Sequence, residues 1–338
     1  TSQCKRGPKQ MSAAPNKQNL IVTGLTLFAL VMVIAAYFSP IWWVSLTAPN
    51  YPKDAFPDGI RIHFHFDGVY NGCSPLAAGS RLKNEIIEKD LGHEDERYNP
   101  ITDAKKDVNK GAQGLDCVHE MNTINHYVGM YPIATGGPVE RHLAKFFFGM
   151  FAVMLIAFVL PKRKARVAVL AAGFTAVSAW MLVDQYMLGR LAEHMANYQH
   201  ELGAYFKEPA VIAERTAFWT GIAHGGVIAT LLLCVVLVVG VAKLRAFTLV
   251  LPLVPALLPI FFVGFYVAWL WHFGHHLHPM GAFTLKPFMP TVFGEGKVAQ
   301  FSTFSYPYYG YAMLVAASLA LLPALLIRRK QMQEGSVE

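Results

Sequence analysis

The chain has 338 residues, of which 54% are hydrophobic and only 15% are charged, and its mean hydropathy is +0.34. This composition is typical of a polytopic membrane protein and not of a soluble enzyme, so we expect membrane lipid as a partner. The formal charge of +7 does not indicate a nucleic-acid partner, because the basic residues form no single module and several flank hydrophobic segments. The four cysteines are too few and too scattered for a disulfide scaffold or a zinc finger.

Hydrophobic segments long enough to cross a hydrocarbon core of about 30 Å predict six transmembrane spans. Residues 1–10 precede Met11, a natural start, and are left out of this prediction. The first span begins at Leu20 and closes at the outer interface with Trp42 and Trp43. The others are 143–160, 167–188, 218–241, 247–271 and 308–327, and prolines at 252, 255 and 259 predict a break in the fifth.

Basic clusters at 161–166, 242–245 and 327–330 recur at every second boundary, which places both termini in the cytoplasm by the positive-inside rule. The predicted fold class is an all-α integral membrane protein of a bacterial inner membrane, with a mixed α/β extracytoplasmic domain inserted between helices 1 and 2. The predicted segments are a cytoplasmic tail at 1–18, the first helix at 19–44, a periplasmic domain at 45–141, a five-helix membrane domain at 142–330 with periplasmic loops at 189–217 and 272–307, and a cytoplasmic tail at 331–338.

The periplasmic segment contains a short stretch of alternating apolar and polar residues at 60–67, which predicts a strand with His63 and His65 on one face. Such a pair is either a metal-ligand arrangement or a plain polar face. A short helix is expected at 81–90. Two alternatives remain for Cys73 and Cys117. They form a disulfide, with Cα atoms about 4.4 to 6.8 Å apart, or Cys117 stays a free thiolate that can bind a metal.

The segment 116–132 concentrates soft metal ligands, with one Cys, two His and two Met within fourteen positions. Thioether, imidazole and thiolate groups together favour Cu(I) over hard cations. In a helix that continues to Pro132, Asn122, His126 and Met130 would share one stripe. The competing interpretation is that the methionines fill the apolar core. The candidate copper ligands are His126 and Met130, and Cys117, His119 or Met121 would complete the site.

A second cluster follows the fifth span, where four His and one Met occur in the nine positions 272–280. Flanking tryptophans place this cluster at the membrane surface. It is either a metal site or a histidine-rich interfacial turn. If it approaches the first cluster, His275 or His276 would complete the copper site.

Two ionisable residues lie within predicted spans, Asp184 in the third and His224 in the fourth. Intramembrane ionisable groups are costly and indicate function by default. The simpler expectation is a hydrogen bond between the two side chains. The alternative is a b-type haem held by His224 and a histidine of the fifth span, His272.

Two blocks, 122–133 and 273–310, resemble a family of poorly characterised bacterial multi-spanning proteins, often encoded near nitrous oxide reductase and its copper-maturation genes. That family carries Asn-His-Tyr-Ile-Gly-Met in the first loop and Gly-His-Asn-Leu-Asp-Pro after a late span. The residues that match are Asn125, His126, Tyr127, Gly129 and Met130 in the first block, and Gly274, His275, Leu277 and Pro279 in the second. The chain departs from the pattern at His276 and His278, where the family has Asn and Asp. The resemblance implies a copper-related setting but no reaction.

Three functions follow as expectations. The first is a periplasm-facing copper-binding membrane protein that delivers Cu(I) or serves as an accessory subunit of a copper-enzyme complex in a respiring Gram-negative bacterium. The second is an electron-transfer subunit that binds haem or quinol through His224 and His272. The third is a structural scaffold without metal. A non-catalytic role is favoured in all three.

Overall fold

The computed structural model describes residues 17–49, 51, 53, 56–73, 116–282, 285–298 and 300–334. The helix expected at 81–90 lies outside this part of the chain. The described residues are mostly helical. Their helices are α1 (Lys17–Tyr37), α2 (Cys117–Tyr127), α3 (Pro138–Val159), α4 (Arg163–Leu182), α5 (Arg190–Tyr205), α6 (Pro209–Lys243), α7 (Val250–Ala256), α8 (Leu258–His275) and α9 (Tyr309–Gln333), with 3-10 turns at Ile133–Thr135 and Arg245–Leu249 and a π-helical turn at Val183–Met187.

Among the described residues, six helices are long and apolar enough to cross a membrane, which agrees with the predicted number. They are α1, α3, α4 with the π-helical turn, α6, α8 and α9. The predicted end of the first span is wrong, because α1 stops at Tyr37, shortly before Pro40. Trp42 and Trp43 instead begin strand β1 (Trp42–Thr47), and Trp42 is only 4% exposed.

The fifth span is broken as its prolines predict. Leu257 separates α7 from α8, Pro255 lies within α7, and Pro259 occupies the first turn of α8. The segment predicted as the loop 189–217 is itself mainly helical. It contains α5, whose buried residues Leu191, Met195, Tyr198 and Leu202 recur at helical spacing on one face.

Five described strands form one antiparallel sheet with the order β3-β2-β1-β5-β4. Besides β1, the strands are β2 (Ile60–Phe64), β3 (Val69–Asn71), β4 (Gly294–Val298) and β5 (Phe301–Pro307). Because α1 packs along α9, the strand that follows α1 and the strand that precedes α9 emerge side by side and pair. The sheet therefore combines two distant segments of the chain, and a separate domain inserted between the first two spans is not confirmed.

The alternation predicted for β2 is seen in its burial, because Ile60 and Ile62 are buried while His63 is only partly so. The strand ends at Phe64, so His65 belongs to the following turn and does not share a strand face with His63. The His63 ring instead packs on Tyr308, with 5.2 Å between the ring centroids.

The basic clusters meet at the end of the helical bundle opposite the sheet. Arg163 Nε donates to the Val241 carbonyl oxygen (3.0 Å), and fully buried Arg328 donates to the Phe158 carbonyl oxygen (3.2 Å). These arginines satisfy carbonyl groups that the last turn of a helix leaves free. We call this the basic end and the opposite one the sheet end.

Candidate functional site

The two histidine-containing motifs are joined at the sheet end. His278 N donates to the Gly129 carbonyl oxygen (2.7 Å), and Ala282 N donates to the Tyr127 carbonyl oxygen (2.9 Å). Gly129 has φ +83°, and a Cβ there would lie 2.8 Å from the His278 carbonyl oxygen. Only glycine accommodates both the positive φ and this approach. We call this contact between 127–131 and 278–282 the motif junction.

The predicted stripe of Asn122, His126 and Met130 is wrong. Asp116 accepts hydrogen bonds at the start of α2, but α2 ends at Tyr127, so Met130 lies beyond the helix. The buried Asn122 side chain accepts from Ile133 N (2.8 Å) and so fixes the chain after the helix. Met121 and Met130 line an apolar cavity of 80 Å³, which His126 does not line. Met121 and Met130 thus lie in the apolar core, as the competing interpretation expects.

His126 and His278 both pack on Phe206, with ring centroids 5.1 and 4.6 Å from it. Burial, followed by the electrostatic effect of the nearby His278, lowers the pKa of the His126 imidazole from its usual value. Its Nδ1 is buried and has no hydrogen-bond partner within the described ranges. Both nitrogens of His278 are engaged, Nε2 with Glu208 Oε2 (2.6 Å) and Nδ1 with Met280 N (3.1 Å).

Cys73 and Cys117 form a disulfide with Cα atoms 5.9 Å apart, which confirms the first of the two alternatives. A disulfide-bonded Cys117 offers no thiolate to a metal. His119, another candidate ligand, is held by a hydrogen bond between its Nδ1 and the Tyr205 hydroxyl (2.9 Å). At the start of α2, Cys117 therefore forms a covalent link and His119 forms a side-chain hydrogen bond.

The last turn of α8 carries the other candidate histidines. His272 and His276 are one helical turn apart and their rings stack with 4.2 Å between centroids. His276 Nδ1 donates to the His272 carbonyl oxygen (2.9 Å), and His275 Nδ1 donates to the Trp271 carbonyl oxygen (2.9 Å). Because a carbonyl oxygen only accepts, Nδ1 of His275 and of His276 carries a proton, and Nε2 is the ring nitrogen left for a metal. The histidine that reaches the motif junction is His278, and not His275 or His276 as expected.

The prediction of a hydrogen bond between Asp184 and His224 is wrong. Asp184, in the π-helical turn, pairs with Lys145 of α3 (2.7 Å). His224 Nδ1 instead shares a hydrogen bond with the Tyr186 hydroxyl (3.0 Å). His272, the other histidine of the haem alternative, contacts Trp269, Phe273 and His276. The two histidines therefore have different neighbours.

Sequence reasoning missed Glu140 in the first turn of α3. Its Oε1 accepts from Trp269 Nε1 (3.3 Å), and its Oε2 is buried without a hydrogen-bond partner in the described part of the chain. A carboxylate at the start of a span was a usable signal, because charged groups there are costly unless they have a partner.

Within the described residues, no group of three or more His, Cys, Asp or Glu side chains converges as a metal centre would require. Two potential ligands lie one helical turn apart at the sheet end, His272 and His276, which we call the α8 histidine pair. Comparison of the chain with protein-family models, curated proteins and solved structures gives no match.

Proposed function

We propose that the protein is a copper-binding membrane protein that holds Cu(I) transiently at the α8 histidine pair and exchanges it with a partner copper protein. The observation that carries the proposal is that His272 and His276 lie one helical turn apart on the same face, while His276 Nδ1 donates to a backbone carbonyl oxygen. Such a bond fixes the ring and its tautomer, as the second shell of a metal-binding histidine does.

The donor set fits copper better than zinc. Imidazole suits both metals, so the number of donors decides: structural zinc sites use four ligands, whereas Cu(I) is also held by two. His276 is exposed and His272 is partly buried. A site with two imidazoles and one open side can receive a further ligand from another protein. It therefore suits delivery better than permanent storage, and in this proposal the sheet end faces the periplasm.

The test is Cu(I) affinity, measured by competition with a chromogenic Cu(I) chelator under reducing conditions. The double variant His272→Ala/His276→Ala should lose binding. His275→Ala is the matched control, because His275 lies on the same turn with the same Nδ1 hydrogen bond, but its ring stacks on Trp271. The control should bind copper like the unmodified protein.

Unchanged Cu(I) binding by the double variant would refute the proposal. Loss of binding in His126→Ala but not in the double variant would move the site to the motif junction. A Soret band in the purified protein would favour the haem-binding alternative instead.

A further inference from the structure

A cavity of 370 Å³ lies between the sheet-end half of α3 and α8, and is closed on one side by the turn between β2 and β3. Its volume falls in the range of about 300 to 1,000 Å³ that is usual for small-molecule sites. Aromatic rings form much of its wall, including Phe147, Phe148, Phe151, Phe261, Phe262 and Phe265.

One polar group in the wall lacks a partner. The buried Glu140 Oε2 accepts no hydrogen bond from the described residues, whereas Oε1 of the same carboxylate accepts from Trp269 Nε1. The charge of the neighbouring Arg141 interacts with that of Glu140. A buried acceptor without a donor is unfavourable, so a bound molecule that donates a hydrogen bond to Oε2 would be favoured over one that cannot.

The position of the exposed rings indicates how a ligand enters. Phe261 and Phe265 line the cavity and are 45% and 55% exposed on α8, a candidate membrane span. In a membrane this surface faces lipid, so the wall that these two rings form borders the bilayer. A molecule that enters between them is lipid-soluble and would meet Glu140 and Trp269 at the sheet end.

We propose that this cavity binds a lipid-soluble quinol, with a ring hydroxyl donating to Glu140 Oε2 and the ring packed among the aromatic side chains. A phospholipid acyl chain would fill the same apolar space but has no hydrogen to donate. The hydroxyl is therefore the feature that separates the two occupants. The proposal concerns binding and is independent of copper.

The test uses metal-free protein in lipid nanodiscs, with empty nanodiscs as the background for partitioning. The probes are decylubiquinol and its dimethyl ether, which has the same ring and tail but no hydroxyl hydrogen. The unmodified protein should bind the quinol saturably and the ether about ten-fold more weakly, the loss expected for one charge-assisted hydrogen bond. Glu140→Gln should bind the quinol more weakly, with less discrimination between the two probes.

A second pair of variants locates the probe. Ala144 is buried in the cavity wall, so Ala144→Leu should block binding. Ala229 is exposed on α6, and Ala229→Leu adds the same volume away from the cavity without effect. Unsaturable binding, equal affinity for both probes in the unmodified protein, or full binding by Ala144→Leu would each overturn the proposal.

Discussion

Removal of the disulfide should lower the free energy of unfolding substantially. Cys73 and Cys117 are 44 positions apart, and the chain-entropy relation for a loop of that length gives about 4 kcal/mol at 25 °C. The bond holds the start of α2 against the strand β3, where Asn71 Oδ1 accepts from the backbone N–H of both cysteines. The variant Cys73→Ala/Cys117→Ala should therefore loosen α2 and the motif junction that follows it.

The assay is denaturant-induced unfolding of purified protein in detergent, with and without a reductant. The unmodified protein should lose stability when reduced, whereas the double variant should start low and not respond. Cys234→Ala is the matched control, because Cys234 is buried in α6 and is a free thiol. It should retain the response to reductant. Equal stability of the unmodified protein and the double variant under oxidising conditions would refute this reasoning.

Three further substitutions test the sheet end. Ser305→Ala removes three hydrogen bonds, two of them to the buried Trp42 and Tyr266, and should cost about 3 kcal/mol. Ser302→Ala on the same strand should change the unfolding midpoint little. Gly129→Ala must adopt a positive φ at a cost of about 1 to 2 kcal/mol, and hydrogen exchange should show loss of protection at the motif junction. Met130→Leu preserves packing, so its unfolding free energy should change by less than ~1.5 kcal/mol, and measured Cu(I) affinity should stay unchanged because Met130 lies in the apolar core.

The membrane-spanning helices were predictable because their signal is local. In a bilayer, an uninterrupted apolar run has few alternatives to a membrane-spanning helix. A proline removes a backbone hydrogen-bond donor wherever it occurs. The break between α7 and α8 therefore follows from Pro255 and Pro259 alone. The number of spans and this break depend on neighbouring residues only.

The candidate site was less predictable because its contacts join distant segments. Helical spacing predicts that Met130 lies one turn after His126, but α2 ends at Tyr127, just before Gly129 contacts the carbonyl oxygen of His278. Likewise, the choice of Lys145 as the partner of Asp184 depends on how α3 packs beside α4. A single sequence contains no direct signal for either contact.

The two proposed sites are physically connected by Trp269. Its indole Nε1 donates to Glu140 at the cavity, and its ring packs edge-on against His272, with 5.5 Å between centroids. An indole is rigid, so a displacement of Trp269 by a ligand at Glu140 would also displace the surface on which His272 rests. Coupling between two binding sites is reciprocal. If a bound quinol changes the Cu(I) affinity of the α8 histidine pair by some factor, bound Cu(I) changes the affinity for that quinol by the same factor.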